Sequence, residues 1–125
     1  MGLKSVFESG VDTAFSVFKE AVYNCQYIQI ADDGFSRNET PIPVSAIIVE
    51  LTQDDIAKLS FSDEIQPTDV QCLVKGKYLF SAPDTRDEFL VISDYFGNII
   101  NEKYSIVGFS VDPMKVLYTI VLRNA

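Results

Sequence analysis

The sequence predicts a mainly β chain: a small antiparallel barrel or sandwich of about six or seven strands, with an N-terminal α-helix and a short inserted helix. Three observations predict it. Short apolar runs recur with turn residues between them, from Tyr27 to Leu122. The runs follow one another closely, so antiparallel pairing is expected. Several carry apolar residues on both faces, and a single open sheet would leave one such face wet. The 125 residues read as one domain, 1–125, with the helix over about residues 5–24 and the barrel over about 26–123.

The elements follow in order. Phe7, Val11, Ala14, Phe15, Phe18, Val22 and Cys25 recur at spacings of three and four, which makes one apolar helical stripe. Ser5 with Glu8 matches a capping box, Ser9 with Asp12 offers a second start, and Gly10 is a weak point or a kink. Tyr27 to Ile30 makes a short strand. Residues 32–40, with the Asp33-Gly34 turn signal, read as an exposed loop, and Pro41 and Pro43 limit pairing there. "VSAIIVEL", 44–51, is a strand whose Ile47, Val49 and Leu51 share one face, without Val44. Residues 52–67 interrupt the strands: Thr52 and Asp55 cap a short helix over Gln53–Leu59. "TDVQCLVKGKYLF", 68–80, gives a strand, a Lys-Gly-Lys turn and a second short strand. "EFLVIS", 88–93, is a strand and "DYFGN", 94–98, its turn. Tyr104–Phe109 and Val116–Leu122 are the last two strands, joined by a turn built on Asp112-Pro113.

Composition narrows the chemistry. Apolar residues make up 47%, enough for a core at this length, so no disulfide or metal is needed to hold it. The net charge of −8, from 18 acids and 10 bases, disfavours binding to a phosphate backbone. A surface past which DNA slides without sticking remains compatible with it. Cys25 and Cys72 form no CxxC pair and read as two buried thiols in a reducing compartment. "MGLKSVFESG" lacks the apolar core of a signal peptide, Gly2 stands in an imperfect myristoylation pattern, and no apolar run is long enough to span a membrane. Histidine is absent, so a Ser-His-Asp triad, a Cys-His pair and a His-ligated metal site cannot form within the chain.

No constellation carries a catalytic pattern. The acid pairs Asp32–Asp33, Asp54–Asp55, Asp63–Glu64 and Asp87–Glu88 fit no calcium-loop spacing and read as solvated loops. There is no dinucleotide or phosphate-loop glycine motif and no nucleophile elbow. "VKGKY", 74–78, reads as a hairpin turn with solvated lysines, with a phosphate grip as the alternative. Phe15, Phe18, Phe89 and Phe109 are core candidates. Tyr23, Tyr27, Phe35, Tyr95 and Phe96 lie nearer to loops and element ends and suit a contact surface. Arg123 pairs either with an acid on the next strand or with one on a neighbouring subunit.

The run "IQPTDVQCLVKG…APDTRDEFLVISDYFGNIINEKYSIVGFSVDPMKVLYTIVLR" adds a resemblance. Pro67 and Asp69 precede a strand, a turn follows at Lys75–Lys77, and Pro83 and Asp87 lead into "FLVI". "EKYSIVGF", 102–109, resembles a Tyr-x-Ile-Val strand, and the Asp112-Pro113 turn with "LYTIVLR", 117–123, resembles a closing hairpin ending in Arg. Over residues 65–123 the chain resembles the head-completion proteins of tailed bacteriophages, also called head-closure or stopper proteins of the neck.

The resemblance implies a structural virion protein and not an enzyme, with no cofactor and no metal. It implies a homo-oligomeric ring in the neck, assembled in the host cytoplasm, between a portal or adaptor protein and a tail terminator or other tail protein. Such a ring completes the head, retains the packaged DNA and offers a platform for the tail. Double-stranded DNA passes its channel without sequence-specific binding, and no membrane is involved. The acidic segment with Asp54, Asp55, Lys58, Asp63 and Glu64 is the candidate channel or portal loop. Phe7, Phe15, Phe18, Phe35, Tyr95, Phe96 and Arg123 are candidate subunit or partner contacts, and the helical stripe docks either on its own barrel or on the next subunit. Three alternatives stand beside this reading. A tail-terminator or tail-completion protein also forms a ring. A small ligand- or oligonucleotide-binding barrel calls for basic strands with exposed aromatics. A carboxylate enzyme calls for two acids converging in a pocket.

Overall fold

A computed structural model describes residues 3–32, 34–51, 65–66, 68–79, 82–112 and 114–124. The helix α1 (Leu3–Val17) is followed by a 3₁₀ turn at Lys19–Ala21 and then by six strands. These are β1 (Val22–Asp32), β2 (Arg37–Glu50), β3 (Val70–Lys75), β4 (Glu88–Ser93), β5 (Ile99–Val111) and β6 (Leu117–Asn124). They close into one antiparallel barrel in the order β1-β2-β3-β6-β5-β4, with β4 returning to β1. Closure leaves no strand at a sheet edge along its whole length, which is how a small all-β domain hides its unpaired amides. β6 stands between β3 and β5, so the hydrophobic end of the chain is an internal stave of the barrel.

The helix is shorter than its apolar stripe predicts. It stops at Val17, and Val22 and Cys25 belong to β1. Residues 22–25 satisfy two periods at once, because the alternation of Tyr23, Cys25 and Tyr27 overlies the helical spacing of Val22 and Cys25. Pairing with β2 on one side and β4 on the other decides for the strand. At the other end the helix has begun by Leu3, so Ser5 lies inside it and not at its cap. Gly10 is accommodated without interruption, with open space around it. The expected Lys-Gly-Lys turn is a 3₁₀ turn at Gly76–Tyr78, and Leu79 after it is not in a strand, while the rest of the expected second short strand, at Phe80, lies outside the described residues. The expected inserted helix over 53–59 lies outside the described residues.

The expected loop 32–40 is largely a strand. β1 and β2 pair without a break from Val22↔Ile47 to Asp32↔Arg37, and Pro41 and Pro43 stand within the ladder opposite Ile28 and Gln26. Ile30 sends its N–H to Asp87 Oδ1, just ahead of β4, at 2.9 Å. The even-numbered residues of β1 therefore turn their amides toward β4, and the odd-numbered ones bond β2. Opposite even-numbered residues, both prolines sit where an amide would point away from β1. On that side the ladder with β3 reaches only to Ala46. Among the described residues no ladder partner faces the two missing donors, so neither proline removes a ladder bond.

Register also decides which residues form the core. Val44 faces Cys25 and Ile42 faces Tyr27, so the even-numbered residues of β2 point inward. Ile42, Val44 and Ala46 are buried there with Cys72, Val74, Phe89, Val91, Ile106, Tyr118, Ile120 and Leu122. Ile47, Val49 and Leu51, the face expected to be apolar, point away from this cluster, where Ile47 is still buried but Val49 is 39% exposed. A register shift between Ile106 and Gly108 puts Phe109 back on the inner side, packed against the core. Such bulges, found also at Asn24/Cys25 and Val91/Ser93, supply the bend that a barrel of this size requires. Tyr27, Phe89, Ile120 and Leu122 are each less than 2% exposed, and each contributes about 1.5–3 kcal/mol by leaving water.

Two buried carboxylates tie the ends of the barrel. Asp87, expected on a solvated loop, is 8% exposed. It accepts the Tyr27 hydroxyl at Oδ2 and the Ile30 amide at Oδ1, while the Asp84 amide donates to the Tyr27 oxygen at 3.0 Å. Tyr27 is thus a core residue and not a contact residue. At the opposite end, Asp69 accepts Arg123 Nε at Oδ1 and a terminal guanidinium nitrogen at Oδ2, both at 3.0 Å, and the Gln66 amide at 2.8 Å. Arg123 therefore pairs with an acid of its own chain, next to the adjoining strand β3. Of the two pairings the sequence left open, the structure shows the one within the chain: the guanidinium neutralises a carboxylate that the barrel has buried.

Candidate functional site

Among the described residues, the barrel interior is mainly apolar. It is lined by the buried side chains named above, and no buried side-chain polar atom among the described residues lacks a hydrogen-bond partner. Burial pushes the Cys25 thiol up to about 12 and raises Cys72 as well, so neither thiol presents a thiolate nucleophile. Among the described residues, no three His, Cys, Asp or Glu side chains gather as metal ligands. The candidate site is therefore on the outside.

One end of the barrel collects exposed apolar side chains. Asn24 near the start of β1 pairs with Ser93 at the end of β4, and Val22 pairs with Ile47 toward the end of β2. The turn 94–98, the junction of α1 with β1, and the end of β2 therefore share one end of the molecule. Tyr95, Phe96 and Ile99 are 45%, 69% and 70% exposed there, with Val17, Phe18 and Val49 on the neighbouring segments. The turn that carries the two rings is held firmly. Asp94 accepts the Asn98 amide at 2.9 Å and its side-chain Nδ2 at 3.0 Å, and Gly97 takes the positive φ of 86° that the reversal demands. The Asn98 side-chain bond, with backbone amides behind it, holds the Asp94 carboxyl below its ordinary value. Tyr95 and Phe96 meet edge to face, 5.2 Å between centroids and 80° between planes. A rigid aromatic pair on a clamped turn loses little side-chain entropy on docking, which suits a protein contact.

A second feature lies along the side of the barrel. Asp12 and Phe15 are three residues apart on α1 and share a helix face. Asp12 Oδ1 accepts Lys75 Nζ at 2.8 Å and Lys77 Nζ at 3.2 Å. The Lys75 ammonium lies 4.8 Å over the Phe15 ring. The Lys75 bond, then the Lys77 bond, lowers the Asp12 carboxyl, and Asp12 in turn raises Lys77. Phe15 is 7% exposed and contributes about 1.5–3 kcal/mol by burial, with about 0.5–1 kcal/mol more from the cation over its ring. The cleft between helix and barrel is lined by Glu8, Val11, Lys75, Gly76, Lys115 and Val116. Gly76 is required there: its amide bonds Val116 O at 2.7 Å, and a Cβ would fall 2.0 Å from the Lys115 carbonyl oxygen.

Of the residues singled out in the sequence, Phe18, Tyr95 and Phe96 come to the same end of the barrel. Phe35 is 99% exposed at the opposite end, in the β1–β2 turn. Phe18 is corrected as a core candidate, since it is 61% exposed, and Phe15 is buried beneath the helix and not inside the barrel. The backbone of Phe7 is in α1, but its side chain lies outside the described residues, as do Asp54, Asp55, Lys58, Asp63 and Glu64. The lysines of the Lys-Gly-Lys turn, read as solvated or phosphate-gripping, are engaged by Asp12. Sequence reasoning missed Ile99, Val17 and the Asp12 clasp. The first two were legible as large apolar residues beside turns, whereas the clasp depends on where α1 lands. Compared with known protein families, with curated proteins and with solved structures, the chain finds no match in any of the three.

Proposed function

We propose that this chain is a structural virion protein that forms a ring in the neck of a tailed bacteriophage, between portal or adaptor and tail. In this reading it closes the filled head, helps retain the DNA and receives the tail, and it performs no catalysis. One observation carries the proposal beyond the sequence resemblance. The barrel buries an apolar core, while one end presents Tyr95, Phe96, Ile99, Phe18 and Val17 to solvent on a clamped turn and a helix end. A monomer gains nothing from leaving that much large apolar surface wet, whereas an assembly part uses it as the centre of a contact. The charge of −8 suits a wall past which phosphates must move without adhering.

Cryo-electron microscopy of particles from the source of this chain tests the proposal. The expected result is density for the barrel as a ring at a single vertex, between portal and tail. Absence from the particle, with the purified chain monomeric at high concentration, would refute it.

A further inference from the structure

We infer that α1 is an exchangeable arm: in the assembled state it seats in the Lys75–Gly76–Lys77–Lys115 cleft of a second copy of this chain. The inference goes beyond the neck reading, because it holds for any assembly of this barrel. It starts from how little of the helix the barrel takes up. Among its described side chains only Phe15 is buried, and the clasp at Asp12 is a half-exposed carboxylate on two lysines. Val6, Val17 and Phe18 remain 57%, 69% and 61% exposed while the helix is docked. α1 is 15 residues long, and its described side chains bury a single large apolar group, so this part of the helix borrows its order from the cleft.

The cleft itself states what it accepts. Lys75, Lys77 and Lys115 make it a cationic strip on a chain whose net charge is −8. The complementary element is an amphipathic helix with a carboxylate and an aromatic ring three residues apart. α1 is such an element, with Asp12 and Phe15, and Glu8 one turn before Asp12. A second copy presents the same element, so exchange preserves each of these contacts. What differs is the connection, a single 3₁₀ turn at Lys19–Ala21, tied by the Phe18 amide to Ala14 O and the Ala21 amide to Phe18 O. A short connection of this kind is the usual site of element exchange between protomers. Extending it swings an arm about 22 Å long away from the barrel. The swing carries Val17 and Phe18 from solvent into the junction between two copies.

Zero-length carbodiimide cross-linking reads the pairing directly, because it joins a carboxylate to an amine already in contact with it. Heavy-nitrogen-labelled and unlabelled full-length chains are unfolded, refolded together and cross-linked, and the oligomeric fraction is isolated. Mass spectrometry of the peptides joining Asp12 to Lys75 or Lys77 then shows whether the two halves carry the same isotope. Mixed-isotope links at the frequency of random pairing are expected. Same-isotope links alone in the oligomer, or no oligomer at any concentration, would overturn the inference. The Asp12→Asn variant controls for assignment, since it loses both links. The two proposals fail separately: a neck ring with only same-isotope links removes arm exchange alone, and a mixed-link dimer absent from particles removes the neck reading alone.

Discussion

Replacing Arg123 with Met removes the guanidinium from Asp69 and leaves the barrel otherwise intact. The Asp69 side chain is 0% exposed, and both its oxygens face Arg123 at 3.0 Å. After the substitution the carboxylate keeps, among the described residues, the Gln66 amide at 2.8 Å. Breaking one side of a buried pair costs about 3–5 kcal/mol, because a desolvated charge is left without compensation. An unfolding entropy of about 2.1 cal/mol/K per residue converts that cost into a fall of about 11–19 °C in melting midpoint for a chain of this length. Thermal and urea denaturation of the monomeric fraction measure it, with the urea slope unchanged. The double variant Asp69→Asn/Arg123→Met recovers most of the loss, because an amide needs no counter-charge. The reasoning would be refuted by an Arg123→Met protein as stable as the parent, or by a double variant no better than the single one. Had Arg123 served a neighbouring subunit instead, the single variant would dissociate the oligomer and leave monomer stability untouched.

The other predictions test separate links. Gly76→Ala drives a Cβ into the Lys115 carbonyl, 2.0 Å away, and costs about 1–3 kcal/mol of stability by urea denaturation, whereas Gly10→Ala, with open space around it, stabilises α1. Tyr27→Phe strips the hydroxyl from buried Asp87 Oδ2 and from the Asp84 amide, and lowers stability by about 1–3 kcal/mol. Tyr95→Ser with Phe96→Ser leaves the melting midpoint in place and shifts the sedimentation profile toward monomer, since both rings are exposed in the monomer. Asp12 is lowered by Lys75 and Lys77, Asp94 by Asn98, and at Asp112 burial is outweighed by the Leu117, Met114 and Val116 amides. Carboxyls lowered in the folded state contribute stability that is present above the ordinary value of 3.8 and lost as pH falls through the folded values. Acid titration of the unfolding free energy therefore shows a loss confined to that low range, and Asp112→Asn flattens its slope.

Local chemistry made part of this molecule legible before any packing was known. Asp94 and Gly97 mark a turn because one side chain caps it and the other takes a positive φ, and that turn stands where the sequence placed it. Asp112 marks the last hairpin for the same reason, bonding the amides of Met114, Val116 and Leu117. Short apolar runs bounded by turn residues specified the strands "EFLVIS" and "LYTIVL", and in the first of them every second residue is buried. The exposed aromatics at 95 and 96 followed from their place beside those turns.

By itself, then, the sequence determined a mainly β chain without histidine chemistry, the positions of its tightest turns and most of its strands. Tertiary structure alone decided the rest, wherever a residue had two locally acceptable states. Residues 22–25 fit a helix or a strand, and two flanking partners selected the strand. Either face of β2 is apolar enough to turn inward, and the pairing of Val44 with Cys25 chose the even one. Pro41 and Pro43 looked like breaks, yet their missing donors fall on an edge that β3 does not reach. Arg123 finds Asp69 across 54 residues, and Asp12 finds Lys75 and Lys77 across more than 60. Contacts at such separations depend on barrel closure and register, which no local period encodes.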